Sequence, residues 1–282
     1  MMDLTQRVLN AYERIENQRL KSLVLLLIKH LHACVNEMSL TDQEFEFAWD
    51  FMKRMAAKTG PERNEFLLLA DVLGVSQLIE SLNHDKPGQP VGFALVGPFF
   101  RADAPFRQRG AADVSDDTLA ARVRISGRAY DFDTKAPIEG AILDTWQAAP
   151  NGLYENQDGN QPDYNLRGRY KSDMNGTFDL IALMPTAYPV PTDGRVGELL
   201  RAAKRPADRP AHIHFIVSAP GYETLVTQIF VKGDKQITDD AVFTANEKMV
   251  GEFKKAADHF LLSYDFPLRS GISTMPKAPI PS

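Results

Sequence analysis

The sequence predicts an α+β protein, with helices over residues 1–83 followed by a β-sandwich over residues 84–282. Two features predict it. Apolar residues recur at helical spacing through the first part; from about Asn83 the chain is punctuated by Pro87, Gly88, Pro90, Gly92, Gly97 and Pro98, and later segments alternate with period two.

Taken in order, Leu4, Val8, Ala11 and Ile15 fall on one face of an opening helix. The run Leu23 to Ile28 is entirely apolar and reads as a buried helical stretch, far short of the roughly 20 residues needed to cross a bilayer. Thr41 and Glu44 form a capping box, after which Phe45, Trp49, Met52 and Ala56 line one face until Gly60 and Pro61 stop the helix. Pro61 opens the next helix, which carries Phe66, Leu69, Ala70 and Leu73 and ends at Gly74, and a short helix follows from Ser76 to Leu82. Four or five helices therefore come first.

Val123, Ile125 and Gly127 then alternate with arginines, the pattern of a half-buried strand. The Asn175-Gly176 dipeptide predicts a hairpin joining Gly168–Ser172 to Thr177–Leu183, and Pro220-Gly221 predicts another between Ala211–Val217 and Thr224–Val231. Short strands separated by turn signals favour a sandwich or barrel over alternating β and α units. Residues 248–262 are compatible with strand or helix.

Composition narrows the function classes. A net charge of -5 without basic clusters argues against nucleic-acid binding. Cys34 is the single cysteine, so an intrachain disulfide and a zinc-cysteine cluster are excluded and a cytoplasmic location is expected. Met1 to Asn10 lacks the basic and apolar regions of a secretory signal.

The clearest chemical pattern is His212-Ile213-His214 inside a predicted strand, where residues two apart project from the same face. Two imidazoles aimed at one point suit Zn, Cu, Fe or Ni, although such a pair also occurs for purely structural reasons. Asp208 is a further donor only by its closeness in sequence. Tyrosine is the remaining option: Tyr154 follows a Pro150-Asn151-Gly152 turn and Tyr188 lies among Pro185, Pro189 and Pro191, so both sit on loops able to converge on the strand. Two tyrosinates would favour Fe(III) over Fe(II). Spacing alone does not mark either as a ligand, since ordinary packing is the commoner use of a tyrosine.

The segment from Arg122 to Asp234 resembles the intradiol ring-cleavage dioxygenases. The resemblance rests on Ile125-x-Gly127, Ala141-Ile142-Leu143-Asp144, Gly152-Leu153-Tyr154, Tyr188-Pro189-Val190-Pro191 and Arg209-Pro210-Ala211-His212-Ile213-His214, in that order. Val96-Gly97-Pro98-Phe99 and the helical start extend it over nearly the whole chain, whereas Thr145 departs from the aliphatic residue usual there. It implies a catalytic β-sandwich at 84–282 with Fe(III) held by Tyr154, Tyr188, His212 and His214. It also implies that Tyr188 leaves the metal to act as a base when an aromatic diol binds, that Arg209 stabilises charge building on the ring, and that Gln228 contacts substrate or a ligand. Leu78, Val96, Gly97, Pro98, Phe99, Val190, Pro191 and Val242 become the pocket walls. O2 is the co-substrate.

Ile216 to Thr224 and Gln161 to Gly168 are more similar to hydroxyquinol dioxygenases than to catechol enzymes, with a catechol or chlorocatechol 1,2-dioxygenase as the alternative. The resemblance further implies a homodimer paired through the helices of residues 1–83, with a phospholipid in the apolar seam. Outside the enzymes, the competing reading is a β-sandwich binding module whose His212 and His214 hold a structural zinc.

Overall fold

The computed structural model describes residues 3–60, 63–84, 86–112 and 120–279. By internal contacts the chain divides into two compact units, Met1–Arg54 and Met55–Ser282.

The first unit holds α1 (Leu4–Tyr12), α2 (Gln18–Met38) and most of α3 (Asp42–Lys58). Short polar residues start the first two helices, since Asp3 accepts a hydrogen bond from Gln6 N and Asn17 accepts one from Leu20 N. The predicted capping box is present at α3: Thr41 N donates to Glu44 Oε2 at 2.8 Å and Glu44 N to Thr41 Oγ1 at 3.3 Å. Ile15 falls outside α1, which stops at Tyr12. The Leu23 to Ile28 stretch also differs from expectation. No residue of α2 is buried, and Leu20, Leu23, Leu27, Leu31 and Met38 form an exposed apolar stripe.

The second unit begins with the last turn of α3, whose Met55 is fully buried, and with α4 (Glu65–Val72) and α5 (Val75–His84). Asn64 caps α4 through its side chain. Pro61, expected to open this helix, lies outside the described residues, and the helix starts at Glu65.

Twelve strands follow among the described residues. β1 (Arg122–Asp131), β4 (Thr177–Leu183), β10 (Lys254–Lys255), β11 (Phe260–Ser263) and β12 (Phe266–Leu268) make one sheet. The second has the order β3-β2-β7-β8-β9, formed by β2 (Ile142–Trp146), β3 (Arg167–Lys171), β7 (His212–Ser218), β8 (Leu225–Val231) and β9 (Val250–Gly251). A two-residue pair, β5 (Tyr188–Pro189) with β6 (Asp208–Arg209), stands apart, and α6 (Arg195–Ala202), unanticipated in the sequence, connects them.

The two larger sheets bury one core between them. Val123, Ile125, Leu180 and Ala182 from the first meet Leu143, Ile213, Phe215, Val217 and Ile229 from the second, all at 0% exposure. Each such aliphatic or aromatic side chain contributes about 1.5–3 kcal/mol on burial, so this layer explains the alternation of β1, whereas β7 is buried on both faces. Gly127 is needed where β1 passes from β11 to β12, because a Cβ there would lie 1.8 Å from the Tyr264 carbonyl oxygen.

The expected hairpin at Asn175-Gly176 is not formed as predicted. The turn itself exists, closed by Asp173 N to Thr177 O at 2.9 Å, but β3 pairs with β2 and β4 pairs with β1. The strands part into different sheets directly after the turn. The Pro220-Gly221 turn does join an antiparallel pair, β7 with β8, and residues 248–262 resolve into a short 3-10 turn followed by strands. Among the described residues no helix is long and apolar enough to cross a membrane.

Candidate metal centre

β7 sends Ile213, Phe215 and Val217 into the core, so His212, His214 and Ile216 face the opposite side of the sheet. Cross-strand register then fixes their neighbours. Arg167 of β3, Trp146 of β2, His214 of β7 and Gln228 of β8 form one row, and His212 pairs with Phe230 in the next. Paired residues share a face, so the row places an arginine, an indole, an imidazole and an amide side by side. The Trp146 and His214 rings stack at 4.6 Å and 11°.

Two loops bring phenols to this face. Gly152, at φ +82°, closes the turn that Leu153 and Ala149 complete, and a Cβ there would lie 3.3 Å from the Tyr188 Cβ. Tyr154 leaves that turn and is held by its own N–H donating to Gln157 Oε1 at 3.0 Å. Tyr188 is fixed by β5, opposite Arg209 of β6.

Four candidate donor atoms converge as a result. Tyr154 Oη and Tyr188 Oη are 2.9 Å apart, Tyr188 Oη is 3.5 Å from His212 Nε2, and His212 Nε2 is 3.1 Å from His214 Nε2. His212 Nδ1 donates to the Pro210 carbonyl at 2.6 Å, so that nitrogen carries the proton and Nε2 presents its lone pair to the site. Burial, with Arg209 nearby, pushes His212 down to about 3, and burial with His212 and Arg209 lowers His214 as well. Both imidazoles are neutral at pH 7. Burial raises both phenols above the usual tyrosine range, Tyr154 further through the closeness of Tyr188.

Two neutral imidazoles and two buried phenols are a donor set that fits a ferric ion: the cation would supply the charge that lets the phenols ionise in a dry site. Among the described residues no group of three or more His, Cys, Asp or Glu side chains is placed to hold a metal ion.

Arg209 is 5% exposed and donates to Asp240 from Nε and Nη2, both at 3.2 Å, and from Nη2 to Gln228 Oε1 at 2.9 Å; its Nη1 lies 3.3 Å from His212 Nε2. Burial works against its charge, but Asp240 and the Tyr188 phenol outweigh that and raise its pKa. Gln228 passes the chain of contacts to Leu95 O at 3.0 Å. It lies behind Arg209, not on the cavity wall.

A cavity of about 360 Å³ opens onto this centre, lined by Tyr188, His214 and Arg209 and walled by Gly97, Pro98, Phe99, Val190, Pro191 and Val242. Tyr154 and His212 are not among its lining residues. Val96 packs behind the wall in a cluster with Phe100, Trp146 and Tyr154. Leu78 is misplaced in the sequence reading: it is 60% exposed on α5 and absent from the lining, whereas Leu68 and Asp71 of α4 supply that wall. Asp71, Asp240 and Trp146 carried no signal in the sequence, because an acid within an amphipathic helix, an acid in a loop and an indole in a strand each have commoner uses.

The arrangement matches known proteins. Residues 95–270 match the Dioxygenase family and residues 17–90 the family described as catechol dioxygenase N terminus. The chain is 38% identical over 267 residues to the 6-chlorohydroxyquinol 1,2-dioxygenase of Cupriavidus pinatubonensis, covering 94% of this chain and 96% of that protein. It is 39% identical over 244 residues to a hydroxyquinol 1,2-dioxygenase of a Rhizobium species, covering 86% and 82%. The crystal structure of hydroxyquinol 1,2-dioxygenase from Pseudomonas putida superimposes with a TM-score of 0.90 at 36% identity, covering 95% and 97%. With two sheets carrying a two-histidine, two-tyrosine centre, and with relatives matched over nearly their full length, the chain belongs to the intradiol ring-cleavage dioxygenases, a family of non-haem iron enzymes.

Proposed function

We propose that Tyr154, Tyr188, His212 and His214 bind Fe(III) and that the enzyme cleaves hydroxyquinol (benzene-1,2,4-triol) with O2 between its adjacent hydroxylated carbons. The product would be 3-hydroxy-cis,cis-muconate, which tautomerises to maleylacetate. The observation that carries the reading is the cavity: Tyr188, His214 and Arg209 at its base, apolar walls on most sides, and a single carboxyl, Asp71, on the α4 wall. Relatives named for hydroxyquinol substrates agree with it.

Bound Fe(III) would supply a Lewis acid for the two substrate oxygens and an acceptor of electron density from the ring. Tyr188 lies at the cavity and Tyr154 behind it, so Tyr188 is the phenol placed to exchange with substrate and take up one of its protons. Arg209 presents a charge, locked by Asp240 and Gln228, to the ring as negative charge builds there. Phe99, stacked on Tyr154 at 4.6 Å, and Val190, Pro191 and Val242 hold the ring plane and exclude water. Asp71 is raised by burial and eased by Ser76 and Arg209, and is the partner we assign to the third ring hydroxyl.

Oxygen uptake by the iron-loaded enzyme, measured with hydroxyquinol and with catechol and corrected for autoxidation, tests the reading. Preference for hydroxyquinol that collapses in Asp71→Asn supports both assignments. Preference for catechol in the wild type keeps the mechanism and moves the enzyme to the catechol group.

The exposed stripe on α2 supports pairing of two copies through the helices, with a phospholipid in the apolar seam. A monomer in sedimentation at micromolar concentration would defeat the dimer, and mass spectrometry of an organic extract tests the lipid. The single cysteine supports a cytoplasmic setting.

A further inference from the structure

At the β3 end of the row that carries His214 lies a buried ion pair that the reaction does not use. Arg167, 1% exposed, donates from Nε to Glu155 Oε2 at 2.7 Å and from Nη2 to Asn156 Oδ1 at 3.3 Å. Those two acceptors are the residues immediately after Tyr154, and the Arg167 Cζ lies 5.8 Å from the centroid of the Tyr154 ring. Glu155, 7% exposed, also accepts from Arg101 Nη1 at 2.8 Å. The Nη1 of Arg167 has no hydrogen-bond partner among the described residues. A buried pair of this kind contributes little net stability, because desolvation of both charges offsets their attraction, and a guanidinium with one nitrogen unsatisfied is a poorer bargain still. Stability alone is therefore a weak reason for its presence.

We propose that Arg167 is a positioning residue for Tyr154: with Glu155 and Asn156 it fixes the turn of residues 154–157, and its charge beside the phenol ring sets how readily Tyr154 gives electron density to the iron. Screening is weak in this buried setting, so a cation about 6 Å from the ring acts on it strongly. The inference rests on the iron reading above.

The test is the tyrosinate-to-iron absorption band of the iron-loaded full-length protein, in wild type, Arg167→Gln, Arg167→Lys and Glu155→Gln, with thermal unfolding of each recorded alongside. The band moves an electron from phenolate to iron. Removing a positive charge beside the phenolate eases that transfer, so Arg167→Gln shifts the band to longer wavelength. Removing the negative charge in Glu155→Gln shifts it to shorter wavelength, and Arg167→Lys, which keeps the charge, stays near the wild type. A merely structural pair would lower the unfolding temperature of both neutral variants without moving the band in opposite directions. Bands that stay put, or move the same way in both, overturn the proposal. If Arg167→Gln does not fold, Glu155→Gln decides alone: a shorter-wavelength band supports the role and an unmoved or longer-wavelength band overturns it. A colourless iron-loaded wild type overturns the iron reading and this role together.

Discussion

Asp240→Asn probes the electrostatic frame of the site most directly. The Asp240 carboxylate is 3% exposed, meets Arg209 Nε and Nη2 at 3.2 Å each, and accepts backbone N–H bonds from Val242, Thr244 and Ala245 at 3.3, 3.0 and 3.0 Å. Asparagine keeps the shape but loses the charge and turns one acceptor oxygen into a donor that faces either a guanidinium or a backbone N–H. Breaking a buried pair by removing one partner costs about 3–5 kcal/mol. Because one acceptor survives, the lower end applies, and at roughly 2–4 °C per kcal/mol for a domain of this size the Tm falls by about 6–12 °C. Arg209 also loses its orientation, so kcat falls by roughly 10²-fold, the scale of losing one charge-stabilising donor. The sign with pH follows from Asp240 itself. Burial raises its pKa, but Arg209 and the hydrogen bonds outweigh that and hold it below the usual 3.8. Its contribution is therefore complete above the unfolded value of about 3.9 and is lost as pH falls through the lowered folded value. Thermal melts at pH 7 and in acid, with steady-state kinetics, check this. A Tm within about 2 °C of wild type at pH 7, with kcat unchanged, would refute the reasoning.

Three further outcomes are expected. Tyr188→Phe removes the phenol at the cavity, so the visible band weakens or shifts and turnover falls by about 10²–10⁴-fold, as for loss of a positioned base; an unaltered spectrum counts against Tyr188 as a ligand. Asp144, 5% exposed on β2, is pushed up to about 7 by burial, against the pull of Arg169 and Arg167. A carboxyl whose folded pKa is raised destabilises the fold as pH climbs from its unfolded value to the folded one, by up to about 4 kcal/mol above pH 7; Asp144→Asn should flatten that decline, and identical urea midpoints for both proteins at pH 8 relative to pH 5 would contradict it. Gly152→Ala forces a side chain into φ +82° against the Tyr188 Cβ at 3.3 Å, so about 1–2 kcal/mol of stability is lost and iron is retained less well during dialysis against a chelator; full retention would show that the turn tolerates the side chain.

The histidine half of the candidate site was legible in the sequence because both residues lie in one strand. The period of two in β7 puts His212 and His214 on one face whatever the rest of the chain does, and the turn residues before Tyr154 mark it as a loop position, whereas Tyr188, expected on a loop, lies in the short strand β5. The helical starts at Asp3, Asn17 and Thr41 are equally local, set by side chains that satisfy the first N–H groups of a helix. Tertiary structure decided what local rules leave open. Asn175-Gly176 fixes a turn but not the partners of the strands that leave it, and those chose different sheets because β2 and β1 offered full ladders. The meeting of Tyr154 with Tyr188, of Arg209 with Asp240 and of Asp71 with the cavity joins residues whose separation in sequence carries no period. The sequence by itself determined which face the histidines share; only the folded sandwich determined which phenols, charges and walls came to meet them, because that depends on how two sheets and their loops pack rather than on any repeat along the chain.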